Sequence, residues 1–141
     1  MQTTSAASPV TPSTTSFSPV GVIWLKLAVI YLIIGVGMGI MMGASEDFTM
    51  RPVHAHVNLL GWATMALAGL IYSVFPSAGS SKLARVHFWL ANVSLPVMAV
   101  SLGFVVSGSR SVVPVLAISE ILAAAGIIAF AANIFLNLKG R

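Results

Sequence analysis

Arg51-Pro-Val-His-Ala-His-Val-Asn-Leu-Leu-Gly-Trp62 opens an apolar run that reaches Phe75 without a further charged residue, and Pro52 and Pro76 bracket it. About 20 apolar residues in a row is the length an α-helix needs to cross the hydrocarbon core of a bilayer. Pro52 suits the first turn of such a helix, where its missing N–H costs nothing. His54 and His56 therefore stand in the opening turns, just below one membrane surface. Residues two apart on an α-helix point about 200° from each other, so the two imidazoles leave opposite sides of it.

Three more stretches of the same kind lie outward from this one, over residues 20–43, 86–106 and 112–138, with the central run read as 53–75. The joining segments, 44–52, 76–85 and 107–111, are short, so successive helices are antiparallel neighbours. The expectation is an all-α membrane protein with four transmembrane helices over residues 20–141, preceded by a tail over residues 1–19. The first twenty residues hold ten Ser or Thr, three Pro and no charge. That composition reads as disorder, and without a positive n-region it makes a poor signal peptide.

Composition agrees. Of 141 residues, 57% are hydrophobic and only 7% charged, against about 25% charged in an ordinary soluble domain. A soluble enzyme and a disordered chain are both excluded. A net charge of +4 raises the question of nucleic acid, but the seven Lys and Arg are scattered and form no basic patch. With no cysteine, disulfides, thiolate metal sites, iron–sulfur clusters and covalent haem attachment are all removed.

Charge placement orients the chain. Lys26, Lys82, Arg85, Lys139 and Arg141 fall on one side, and Arg51 and Arg110 on the other with Glu46 and Asp47. The positive-inside rule then puts both termini in the cytoplasm of a bacterial-type inner membrane. Lys26 is close enough to a helix end to snorkel. Gly35, Gly39 and Gly43, with Gly37 between, and the run Ala123-Ala-Ala-Gly126 are small-residue faces on which helices pack closely in lipid.

Polar groups inside a membrane are expensive and need a reason. Each histidine of the pair, taken alone, reads as an interfacial side chain satisfied by water and headgroups. Together, ahead of an apolar helix with Asn58 and Trp62, they read as ligands of haem iron, for which imidazole is a standard axial donor. Lying on opposite sides, they serve different cofactors rather than one. Arg51, one turn above, is either a fork for a haem propionate or an interfacial anchor. Glu120 lines a pore near the haem, carries protons, or bonds to Ser119 or Asn92. Asn58 and Asn92 hold helices together; Trp62 and Trp89 pack, within the bundle or against a macrocycle. Asn58 and Trp62 are counted with His54, His56, Arg51 and Glu120 as candidate cofactor-binding residues. His87, on the far side from His54, packs or sits at the interface.

His54-Ala-His56 in this setting resembles the His-x-His motif of subunit I of the haem–copper oxygen reductases. Upstream, Gly35-Val-Gly-Met-Gly39 before an acidic loop is similar to that family's approach to the motif. Downstream, Leu83-Ala-Arg-Val-His-Phe-Trp89 resembles the start of its next helix. The resemblance covers about residues 30–107. It implies that His54 and His56 each ligate a different haem. The family's subunit has twelve helices in three four-helix arcs, whereas this chain has four. Its copper centre needs three further histidines and a cross-linked tyrosine, and only His87 remains here. No copper and no oxygen reductase activity of the chain alone are therefore expected. A homotrimer would rebuild the ring by closed cyclic symmetry, with His54 of one protomer facing His56 of the next and up to one haem b per interface. The expected function is electron transfer or redox sensing by a six-coordinate haem, with an unidentified redox partner. The alternatives are a small oxidase-like or nitric-oxide-reductase-like catalyst with five-coordinate haem, and a haem-free assembly partner of a respiratory complex.

Overall fold

The computed structural model describes residues 18–138. Most of the Ser/Thr/Pro-rich tail, and Lys139 and Arg141, lie outside these residues. Four helices are long and apolar enough to cross a membrane: α1, Pro19–Ser45; α2, Arg51–Val74; α3, Lys82–Val106; and α4, Val113–Asn137. All the regular structure among the described residues is helical. A single turn, Pro76–Gly79, sits between α2 and α3. This is a multi-pass membrane protein, as the length and apolarity of the four runs required.

The helix starts follow local chemistry. Ser18 caps α1 by accepting a hydrogen bond from the Gly21 N–H at 3.1 Å, and its hydroxyl donates to the Tyr72 carbonyl at 3.0 Å. Ser81 caps α3 by accepting from the Ala84 N–H at 3.0 Å. Side-chain caps of this kind satisfy N–H groups that a helix start leaves free. The Ser81 cap starts α3 four residues earlier than the apolar run beginning at residue 86, because Lys82 and Arg85 are good helix formers at a membrane surface. On the opposite end, Glu46 closes α1 in the left-handed region at φ 55°. In the loop that follows, Asp47 accepts from the Thr49 N–H at 2.9 Å, and the Thr49 hydroxyl and N–H together lower the pKa of its carboxyl.

α2 is not a uniform α-helix. Val57–Thr64 winds as a π-helix between two α-helical segments. Thr64 Oγ1 donates to the Leu59 carbonyl, five residues back, at 2.7 Å. A π segment of this length is rare, and such segments are frequent at functional sites. In α3, Pro96 lies inside the helix and withholds the N–H that the Asn92 carbonyl would accept.

α1 packs along α2, and α3 packs along α4; α1 and α4 share no extended contact among the described residues. The chain is thus two antiparallel hairpins joined into an open arc. The α1 seam is Gly21, Ala28, Gly35 and Met42, all buried, a seven-residue repeat like that of left-handed coiled coils. This departs from the Gly35, Gly39, Gly43 face: a side chain at Gly37 or Gly43 would meet nothing within 4 Å, whereas one at Gly39 would lie 3.3 Å from His54 Cε1. On α4 the buried stripe is Leu116, Ser119, Gly126, Ala129 and Asn133, and Gly126 faces Leu90 of α3. The outward faces carry Ile33, Ile40, Leu67, Val100, Ile121, Ile128 and Phe135, all exposed, as lipid contact demands.

Candidate functional site

Two polar constellations stand at opposite ends of α2. The first is the histidine pair. His54 lies in the first turn of α2, against Gly39 of α1. Asn58, one turn on, donates through Nδ2 to the His54 carbonyl at 2.9 Å and to His54 Nδ1 at 3.3 Å. The carbonyl only accepts, so the amide nitrogen must face it, and the nitrogen then faces Nδ1 as well. His54 Nδ1 is therefore an acceptor, and in the neutral ring the proton sits on Nε2. Asn58 bonds within its own helix and fills the space beside Gly35.

His56 has the opposite arrangement. Its Nδ1 lies 2.8 Å from the Pro52 carbonyl. A carbonyl only accepts, so Nδ1 carries the proton and the Nε2 lone pair is free. Metal-ligating imidazoles commonly show this backbone anchoring, which fixes tautomer and ring orientation. The His56 bond is on an exposed face of the chain. Arg51 holds its guanidinium 5.1 Å from the Phe48 ring centroid, a cation–π contact of the kind worth about 0.5–1 kcal/mol at exposed sites. Trp62 is half-buried against the core and Trp89 is exposed.

Glu120 is exposed on α4, among the exposed Val115, Ile118 and Ile121. It bonds to neither Ser119 nor Asn92. Ser119 donates to the Leu116 carbonyl at 2.7 Å and Asn92 to the Phe88 carbonyl at 2.8 Å, so each turns back on its own helix. Five cavities among the described residues are lined by neither His54, His56 nor Glu120. Among the described residues no group of three or more His, Cys, Asp or Glu could hold a metal ion. A haem iron asks for one or two axial donors only.

The second constellation was not apparent in the sequence. His87, read as a packing or interfacial residue, is 1% exposed. It lies in the bundle core between Trp24, stacked at 4.5 Å, and Phe130, at 4.9 Å. Its Nδ1 is 3.0 Å from the Tyr72 hydroxyl. Asn133, fully buried, donates to the Ala78 carbonyl at 3.0 Å and to the Tyr72 hydroxyl at 3.4 Å, and accepts from the Ser81 hydroxyl and Asn137 Nδ2, both at 2.7 Å. One amide thus ties α2, the Pro76–Gly79 turn, the α3 cap and α4. Asn133→Leu keeps the size but orphans these partners. It should destabilise the protein by about 1–3 kcal/mol in detergent-mediated unfolding, whereas Asn92→Leu, which frees only a carbonyl of its own helix, should change little.

Comparison with protein-family models, with curated proteins and with solved structures found no match. The resemblance to the haem–copper family therefore rests on the quoted motif residues alone.

Proposed function

We propose that this chain is a membrane b-type haem protein of the cytochrome kind, with His56 and His54 as axial ligands in an assembly of three copies. The observation that carries the reading is the His56 geometry: Nδ1–H anchored on the Pro52 carbonyl, which leaves the Nε2 lone pair of a half-buried ring without a partner among the described residues. His56 fits the group as it stands. His54 fits only after its proton moves to Nδ1 and the Asn58 amide turns to accept it. Bound haem would supply a one-electron couple. The residues would hold the ring, with Arg51 at the membrane surface above it, and exclude water through the surrounding apolar helices.

Two features support assembly. The chain forms an open arc in which α1 and α4 do not close on each other, and Glu120 stands in a transmembrane helix on an outward face. A carboxylate facing lipid is costly, and a second copy is what would cover it. Both termini in the cytoplasm of an inner membrane complete the proposal. It draws support from Ser18 and Asn133, near the two ends of the described chain, which both bond to Tyr72 and so lie at one end of the bundle with Lys82 and Arg85.

Native mass spectrometry of the haem-supplemented protein in detergent tests it. The expected mass is three chains with up to three haems. A colourless protein, or a monomer carrying haem, would overturn the arrangement. A second reading, one ligand per haem and a five-coordinate iron, is favoured by the His54 tautomer, since a protonated Nε2 cannot ligate.

A further inference from the structure

Trp24 Nε1 and Ser94 Oγ are buried and have no hydrogen-bond partner. Both residues line one cavity in the core, together with His87, Thr64, Met65 and Leu95. Buried polar groups are almost always satisfied by protein or by ordered water, so two orphans on one cavity call for a shared partner.

The proton positions at His87 follow from chemistry. The Ala78 carbonyl only accepts, so Asn133 must turn Nδ2 toward it. The same nitrogen then faces the Tyr72 hydroxyl and donates to it. The hydroxyl's own hydrogen is left for His87 Nδ1. In neutral His87 the remaining proton sits on Nε2, which has no hydrogen bond to any described residue. Around this cavity there are thus two N–H donors, on Trp24 and His87, and one hydroxyl, on Ser94.

The cavity has a volume of about 20 Å³. Roughly 10–15 Å³ on this measure admits one water, provided two to four polar partners surround it. One water can partner all three: its two lone pairs accept the Trp24 and His87 N–H groups, and one of its two hydrogens goes to Ser94 Oγ as acceptor.

We infer that the core between α1, α2, α3 and α4 is a binding site for a single structural water, held by Trp24 Nε1, His87 Nε2 and Ser94 Oγ. The site completes a buried hydrogen-bonded chain from Ser81 at the bundle end through Asn133, Tyr72 and His87 to Ser94. It makes His87 a core imidazole that exchanges its proton with bound water inside the membrane. The site is independent of haem, and of His54 and His56, which lie at the far end of α2.

Solid-state NMR of histidine-labelled protein in lipid bilayers tests this directly. The chain has three histidines, so spectra of His54→Gln and His56→Gln assign His87 by elimination. The expected result is a neutral His87 protonated at Nε2, with a magnetisation-transfer peak from water to that proton. Ser94→Val fills the cavity, and in that variant the transfer peak should be lost while the tautomer persists. A His87 proton on Nδ1, or an Nε2 proton with no transfer from water in the unsubstituted protein, would overturn the site. Should Ser94→Val fail to fold, the transfer peak of the unsubstituted protein decides by itself.

Discussion

In purified His56→Ala protein the haem absorbance is expected to fall at least tenfold below that of the unsubstituted protein, with the helical content unchanged. Alanine is the best helix former, and the His56 side chain bonds only to the backbone of its own helix. Removing it deletes a ligand without opening the core. In the three-copy arrangement each pocket takes one His54 and one His56 from different chains. His54→Ala should then remove the same haem to the same extent. The two variants separate the two readings of the site. If His56→Ala is colourless but His54→Ala keeps its haem, the iron has one histidine, and carbon monoxide should shift the reduced spectrum of the unsubstituted protein. If both variants keep haem, the ligand assignment fails. An unchanged reduced spectrum under carbon monoxide, together with loss in both variants, supports bis-histidine ligation.

The four spans were legible because the bilayer imposes a length and an apolarity that few other constraints mimic. The expectation that His54 and His56 leave opposite sides of α2 followed from helix geometry alone. Their hydrogen bonds did not. The Asn58–His54 contact depends on a side chain one turn away, and the His56–Pro52 bond on which way the imidazole turns. Nothing in Val57–Thr64 announces a π-helix, since apart from Asn58 and Thr64 its residues are as apolar as their neighbours. Asn133 and Tyr72 were missed for a related reason. A polar residue near the end of a transmembrane run reads as interfacial, and only the tertiary fold turns Asn133 inward, to a relative exposure of 0%. Of the two readings of His87 the structure takes packing over the interface: α3 begins four residues earlier than its apolar run, which places His87 a turn deeper along the helix.

The glycine seam gives the second large effect, because there the smallest possible substitution should change sign with position. A Cβ at Gly21 would come within 2.6 Å of the Gly69 carbonyl and would run into Ser73 Oγ; one at Gly61 would lie 2.8 Å from Tyr31 Cβ. Backbone cannot yield as a flexible side chain does, so Gly21→Ala forces α1 away from α2 along their whole contact. Overpacking of this kind costs about 1–3 kcal/mol, occasionally more. In lipid this loss is not offset by any hydrophobic drive between helices, since close packing itself holds them together. At Gly37 a Cβ would meet nothing within 4 Å. There alanine only restricts the unfolded backbone and improves helix propensity, so Gly37→Ala should be neutral or stabilising by up to about 1 kcal/mol. Unfolding of the two variants in mixed micelles, followed by helical circular dichroism, measures both signs. Equal shifts at the two positions would mean that the seven-residue seam through Gly21, Ala28, Gly35 and Met42 is not what joins the first hairpin. A loss at Gly21 with none at Gly37 would establish it, in keeping with the way the closely spaced glycines divide their work: Gly35 and Gly39 leave room for Asn58 and His54, while a side chain at Gly37 or Gly43 would meet nothing within 4 Å.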